Sequence, residues 1–158
     1  MASITNYSES QYLEEAMRLI KVFMLSVLLL QTFFPAYAGG TSAKHPYKVV
    51  FQVSDNDPQK WYLTLSNAKN VQQEFGIKNV QIEVVVYGPG LDMVLLESEI
   101  AEKIDEAASR GVKIVACENT MIGRKLSRAD MYPFIGYVKT GVAELMKRQR
   151  EGWSYIRP

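Results

Sequence analysis

The sequence predicts an α/β domain in which parallel strands alternate with helices. Short runs of branched apolar residues, at 48–53, 79–87 and 112–116, are separated by segments whose apolar residues recur at helical spacing. Strands joined through helices form right-handed βαβ units, which implies a largely parallel sheet with helices on both faces. The hydrophobic share of 47% and the charged share of 22% are those of an ordinary globular protein.

The first strand, 48–53, leads into a helix with clear boundary signals. Asp57 is the predicted N-cap, and Pro58 suits the first helical position because its missing N–H is unpaired there in any case. Gly76 is the predicted helix stop. The apolar residues expected on one face of this helix are Trp61, Leu65, Ala68 and Phe75.

The second strand, 79–87, is apolar along one face and apolar near its end on the other, which is typical of a strand covered on both sides. Val80, Ile82, Val84 and Val86 line one face, and Val85 and Tyr87 lie on the other. Gly88-Pro89-Gly90 then forms a turn. A second helix is predicted up to Gly111, with Leu96, Ile100, Ile104 and Ala107 at helical spacing.

Shorter elements follow the third strand, 112–116. Asn119 is the predicted cap of a short helical stretch over 120–126, and one further helical turn is expected over 127–131. A strand over 134–138 precedes the last helix, which Thr140 caps and Gly152 ends. Its expected buried face is formed by Val142, Leu145, Met146 and Gln149, and Glu144 pairs with Arg148. Residues 153–156 form a final edge strand.

The amino-terminal part has the pattern of a cleavable secretory signal over residues 1–38. Arg18 and Lys21 precede the apolar run 22–34, and an A-x-A cleavage site ends at Ala38. An apolar run of 13 residues is short for a membrane span, which needs roughly 20. Residues 1–16 are polar, so the true start is expected at Met17. We therefore expect an exported, periplasmic protein with a linker at 39–47 and a domain at 48–158.

Charge and cysteine content narrow the classes of function. Residues 39–158 hold 16 lysine and arginine residues against 14 acidic residues, too small an excess for a nucleic-acid partner. Cys117 is the single cysteine, so no intramolecular disulfide forms. Its thiol is either buried and inert or kept for its reactivity. The single histidine, His45, lies in the linker, which excludes a triad of the Ser/His/Asp or Cys/His kind.

A ligand site is expected where the strands end, because parallel sheets bind ligands beyond their carboxyl edge. Three segments meet there: one with Asp55 and Asn56, one with Gly88 and Gly90, and one with Cys117, Glu118, Asn119 and Thr120. A thiol at a helix start is favoured as thiolate, although adjacent Glu118 acts against this. Cys117 and Met121 could be two soft metal ligands, but a third ligand is lacking, so neither a metal nor a cofactor is expected.

Several separated motifs resemble the DsrE/DsrF-like proteins. They are Val115-Ala116-Cys117-Glu118-Asn119-Thr120-Met121, Asp130-Met131-Tyr132-Pro133, Gly141-Val142-Ala143-Glu144-Leu145 and the ending Gln149 to Pro158, together with Trp61, Asn67-Ala68-Lys69-Asn70 and Tyr87-Gly88-Pro89-Gly90. The resemblance covers residues 47–158 and keeps the motifs in order.

The resemblance implies a three-layer α/β/α sandwich around a mainly parallel sheet of about five strands, and homo-oligomers. It also implies that Cys117 stands where sulfur-relay members carry a persulfide, which they pass to a partner protein. Two functions follow: a sulfur carrier or sulfurtransferase-like protein using Cys117, with a donor or acceptor protein as partner, or a non-catalytic homo-oligomeric module that binds a small ligand or partner.

Overall fold

The computed structural model describes residues 12–21 and 46–158. Helix α1, residues 12–21, belongs to a first unit, Met1–Ser42, and the α/β domain to a second, Ala43–Pro158. The predicted apolar run and cleavage site at 22–38, and the linker up to residue 45, lie outside the described residues. Within the described ranges, no helix is long and apolar enough to cross a membrane.

The domain is built on a five-stranded sheet in which every pairing is parallel. The strands are β1 (Tyr47–Val53), β2 (Val80–Val86), β3 (Lys113–Cys117), β4 (Gly136–Val138) and β5 (Ser154–Ile156). Their order is β4-β3-β2-β1-β5. The chain thus moves in one direction from β1 to β4 and then crosses back, so right-handed crossovers place the helix before β5 on the other face of the sheet. The predicted parallel α/β fold is confirmed.

Helix α2 (Pro58–Phe75) has the predicted boundaries. The Asp57 carboxylate accepts from the Gln59 N–H at 3.0 Å, and Gly76 ends the helix with a positive φ of 84°. Trp61, Leu65 and Ala68 are buried as expected. Phe75 is not: it lies in the last turn, is exposed, and stacks on Tyr47 with ring centroids 4.0 Å apart.

The main core lies between the sheet and helices α2 and α3 (Ala101–Ser109). Its sheet side includes Val80, Ile82, Val84 and Val86, the face of β2 predicted to be apolar. Helix α3 begins later than predicted, because Leu95 bridges to Met131 and the Leu96 N–H donates to the Asp130 carbonyl at 3.1 Å. Gly88–Val94 forms a short 3-10 helix before these pairings, and Leu96 lies in a turn and is exposed.

The connection from β3 to β4 also differs from the prediction. Helix α4 (Glu118–Gly123) is six residues long, and Cys117, not Asn119, is its N-cap residue. The turn predicted near Ser127 is present over Arg128–Asp130, where the Ser127 and Asp130 side chains cap each other's backbone. Strand β4 is only three residues long.

Helix α5 (Gly141–Arg150) lies on the opposite face of the sheet. Its predicted buried face was wrong, since Val142 and Met146 are exposed and only Leu145 of that set is buried. Leu145 packs with Val50, Val85 and Val115. One turn further on, Arg148 is drawn towards the sheet by the buried carboxylate of Glu83, its guanidinium 2.7 Å from Glu83 Oε2. The predicted pair between Arg148 and Glu144 is present at 2.9 Å.

Candidate functional site

The carboxyl ends of the strands bring together four connecting segments. Three were predicted: the segment after β1 with Asp55, the segment after β2 with Gly88, and the end of β3 with Cys117 and the residues that follow it. The fourth runs from Lys139 to Gly141, between β4 and α5, and sequence reasoning did not assign it to the site. Because β4 pairs with β3 and Val138 lies beside Cys117, this segment adjoins the thiol.

Cys117 is the last residue of β3 and is 4% exposed. Side chains alternate along a strand, so Cys117 lies on the same face as Val115, the face that α5 covers. Its Sγ accepts a hydrogen bond from the Gly141 N–H at 3.2 Å. Gly141 is the first residue of α5, a helix of ten residues, so the positive end of this helix dipole points at the sulfur.

Gly141 can approach the thiol because it has no side chain. A Cβ at this position would lie 3.0 Å from Cβ and Cδ1 of Tyr87 and 3.1 Å from its Cγ. Tyr87 follows directly after β2 and packs on the α5 face. A larger residue at 141 would therefore displace either the Tyr87 ring or the start of α5.

Thr120 connects the thiol to the turn after β2. Its hydroxyl oxygen accepts a hydrogen bond from the Gly88 N–H at 3.1 Å, and the same hydroxyl lowers the pKa of the Cys117 thiol. Asn119 is bound on its other side, where its amide donates to the Thr140 hydroxyl at 3.1 Å and its N–H to the Lys139 carbonyl at 3.2 Å. These contacts bring Asn119, Thr120 and Gly88 together near Cys117.

Burial and hydrogen bonding have opposite effects on the pKa of the Cys117 thiol. Burial is the largest single influence and raises the pKa of the Cys117 thiol. The Thr120 hydroxyl and the backbone N–H of Gly141 lower that pKa, as do the N–H groups of Thr120 and Asn119. Together these donors outweigh burial, so the pKa of Cys117 is below its ordinary value.

Glu118 forms an ion pair that reduces the effect of its charge on the Cys117 thiol. Its carboxylate lies 2.8 Å from the Arg128 guanidinium, which itself lies over the Tyr137 ring, 4.3 Å from the centroid. The sequence suggested that the charge of Glu118 opposes a thiolate. Pairing with Arg128 offsets that charge.

Asp55 and Asn56 are engaged elsewhere on the same edge. The Lys60 ammonium, 2.8 Å away, is the main cause of a lowered pKa for the Asp55 carboxyl, and Arg157 adds to it. The Asn56 amide donates to Asp92 at 2.8 Å. Neither residue is among the hydrogen-bond partners of Cys117.

Gly90 has a structural role. A Cβ on Gly90 would meet the Val53 carbonyl oxygen at 2.7 Å and its carbon at 2.9 Å. The Gly90 N–H donates to the Ser54 carbonyl at 3.1 Å. The turn after β2 therefore packs directly on the end of β1, and only glycine fits there.

An open depression of about 540 Å³ borders the thiol site and is lined by Gly88, Pro89, Asp92, Thr120, Gly123 and Arg124. Within it the Arg124 guanidinium pairs with the Asp92 carboxylate. Thr120 lines this depression and is also one of the groups that lower the pKa of Cys117.

The described part of the chain contains no cluster of side chains suited to binding a metal ion. No group of three His, Cys, Asp or Glu side chains there could hold an ion. The sequence suggested Met121 and Cys117 as two soft metal ligands. Met121 packs in the main core between the sheet and α2, whereas the Cys117 sulfur faces α5.

These features define an α/β protein with one polarised cysteine at the carboxyl edge of a parallel sheet. The chain belongs to the DsrE/DsrF-like family, whose sequence profile matches residues 47–158. No curated protein is significantly similar to it in sequence.

Two solved structures share the fold. A protein of unknown function from Methanobacterium thermoautotrophicum is 34% identical with a TM-score of 0.67, and the match covers 71% of this chain and 99% of that one. A conserved protein of unknown function from Bacteroides thetaiotaomicron is 15% identical with a TM-score of 0.55, covering 70% and 94% respectively, and shows the fold alone.

Proposed function

We propose that this protein is a sulfur carrier in which Cys117 holds sulfane sulfur as a persulfide. The observation that carries the proposal is the set of donors around Sγ, above all the Gly141 N–H at 3.2 Å, at the positive end of α5. Donors placed in this way stabilise a thiolate, and they would stabilise a persulfide anion for the same reason.

The proposed step is an exchange between sulfur atoms. The Cys117 thiolate attacks the terminal sulfur of a donor persulfide, forming a new S–S bond to Sγ. The S–S bond of the donor breaks, and the donor leaves as a thiolate that retains the electron pair. A thiolate on an acceptor protein then removes the sulfur by the same reaction, so no external oxidant or reductant is consumed.

The alternative is a non-catalytic homo-oligomeric module that binds a small ligand or partner. The observation in its favour is the burial of Cys117, which is 4% exposed. Buried thiols commonly act as small apolar side chains. In that case the donors around the sulfur would only hold α4 and α5 in place.

Mass measurement separates the two functions. The domain is incubated with polysulfide, or with thiosulfate and a sulfurtransferase, and then weighed. A carrier gains about 32 Da, loses it to dithiothreitol, and shows no gain as Cys117→Ser. It must also pass the sulfur to a second protein thiol. Labelling that is equal in Cys117→Ser, or that never transfers, would leave the binding module.

Thr120→Val tests whether the polar groups around Cys117 promote persulfide formation. It keeps the shape of the side chain and removes the hydroxyl that lowers the pKa of Cys117 and accepts from Gly88. The carrier proposal expects slower persulfide formation in this variant with the fold intact. An unchanged rate would mean that the donors are structural.

We also propose that the domain forms homo-oligomers through its carboxyl end and acts after export to the periplasm. Phe134 is 90% exposed, and Tyr155 and Ile156 of edge strand β5 are exposed as well. Exposed aromatic and aliphatic side chains of this kind commonly mark an interface between proteins.

The export proposal rests on the signal pattern of residues 1–38.

A further inference from the structure

A second cleft lies on the face of the sheet that α5 does not cover. It opens between α2 and α3 and has a volume of about 110 Å³. Its apolar lining is Leu65, Ala107 and Val112, and all three are buried. The remaining lining is polar: Tyr62, Ser66, Lys69, Gln72, Lys103, Glu106 and Arg110.

Positive charge exceeds negative charge in this cleft. Lys69, Lys103 and Arg110 supply three cations, and Glu106 is the single carboxylate of the lining. The Lys69 ammonium lies 2.7 Å from Glu106 Oε1, and the Lys103 ammonium 3.2 Å from Oε2. Lys69 and then Lys103 lower the pKa of the Glu106 carboxyl, which keeps it charged at neutral pH. The side chains that line the cleft therefore have a net charge of two positive units.

Arg110 is held in a defined orientation. Its Nε donates to Gln72 Oε1 at 3.0 Å, and Gln72 Nε2 donates back to the Arg110 carbonyl at 2.8 Å. Gln72 is 4% exposed, so this support is rigid. Among residues 12–21 and 46–158, no carboxylate forms an ion pair with Arg110. A guanidinium fixed through Nε keeps its terminal nitrogens available to a bidentate acceptor.

We propose that this cleft binds a small tetrahedral oxyanion, such as phosphate, sulfate or the terminal group of a small phosphate ester. Arg110 is the main ligand, and Lys69 and Lys103 complete the charge. The volume of the cleft limits the size of the ligand, because pockets for drug-sized ligands are about 300 Å³ or larger. The site is independent of Cys117, whose sulfur faces α5 on the other side of the sheet.

Isothermal titration of the domain with sodium phosphate and with sodium sulfate, at an ionic strength held constant with chloride, tests the proposal. We expect saturable binding at one site. A third titration, with glycerol phosphate, distinguishes a phosphate ester from a free anion as the ligand. If glycerol phosphate binds more tightly than phosphate, the ligand is a phosphate ester; if it binds more weakly, the ligand is the free anion.

Four variants test the residues. Arg110→Gln should weaken binding at least about tenfold, since it removes the charge-assisted hydrogen bonds of the main ligand. Glu106→Gln should tighten binding, because it removes the competing carboxylate. Lys78→Gln, an exposed lysine outside the cleft, is the charge-matched control and should bind as the parent does. Cys117→Ser should also bind normally, which keeps this test separate from the sulfur-carrier proposal.

Three results would overturn the assignment. They are the absence of saturable binding, a loss in Lys78→Gln as large as in Arg110→Gln, and weaker binding in Glu106→Gln. The last would mean that Glu106 orders the cleft and does not compete with an anion. Circular dichroism of each variant checks that the fold is retained, and Lys69→Gln replaces Arg110→Gln if that variant unfolds.

Discussion

Replacing Arg148 by methionine tests the ionic contact that seats α5 on the sheet. Glu83 lies in the middle of β2 with its side chain 1% exposed, and its Oε2 is 2.7 Å from the Arg148 guanidinium. Lys113 is a second counter-ion at 3.2 Å, but its side chain is 54% exposed. Arg148 also bonds Glu144 and Glu151 and lies over the Trp153 ring. Its removal leaves a buried carboxylate with one half-solvated partner.

The expected destabilisation follows from that geometry. Breaking a buried ion pair from one side lowers the free energy of unfolding by about 3–5 kcal/mol. Because Lys113 remains, we expect the lower end, about 3 kcal/mol, which is a fall in Tm of roughly 10 °C for a domain of this size. The exposed residue Arg150, on the same helix, is the control: Arg150→Met should change stability by less than about 0.5 kcal/mol.

The double variant Glu83→Met/Arg148→Met should recover most of the loss. Glu83 Oε1 and Arg148 Nε are buried without a hydrogen-bond partner in the described structure, so the native pair is incompletely satisfied. Apolar replacement of such pairs is often neutral. Urea unfolding of the parent, Glu83→Met, Arg148→Met and the double variant gives the coupling energy, expected at about 2–3 kcal/mol. The reasoning is refuted if Arg148→Met is no less stable than Arg150→Met, or if the double variant is less stable than Arg148→Met.

Four further predictions address the turn, the thiol, the interface and the leader. Gly90→Ala should lower the free energy of unfolding by about 1–3 kcal/mol or more, because its Cβ would meet the Val53 backbone at 2.7 Å, whereas Gly123→Ala, with nothing within 4 Å, should be neutral or stabilising in urea unfolding. Alkylation of Cys117 by iodoacetamide should have its pH midpoint below the ordinary thiol value of about 8.5, and Gly141→Ala should move it upward; a native thiol that resists alkylation completely would contradict this. Since the folded pKa is the lower one, the stability advantage over Cys117→Ser should be full above the unfolded pKa and be lost as pH falls through the folded value. Analytical ultracentrifugation at micromolar concentration should show an oligomer, and a strict monomer would refute the interface at Phe134 and Tyr155. Protein recovered from its native compartment should begin at Gly39 by mass, and an intact amino terminus in a membrane fraction would mean an anchor.

Local features of the fold were predictable because their causes are local. The Asp57 cap, Pro58 and the Gly76 stop of α2 depend on backbone groups within a few residues. The apolar faces of β2 follow from strict alternation, and the alternation of strands and helices was sufficient to predict a parallel sheet. Helix α3 was placed too early because Leu96 has helical spacing but pairs with the backbone near Met131, which is distant in sequence.

The sequence by itself therefore determined the class of fold, the edge where the strands end, and the presence of one cysteine at that edge. Only the tertiary structure decided what surrounds the sulfur. The donor at 3.2 Å belongs to Gly141, 24 residues away, and it reaches Cys117 because β4 pairs with β3 and α5 crosses the other face. The inward turn of Arg148 was likewise decided by Glu83 on another element. Such contacts depend on which strands become neighbours, and a periodic pattern within one segment does not contain that information.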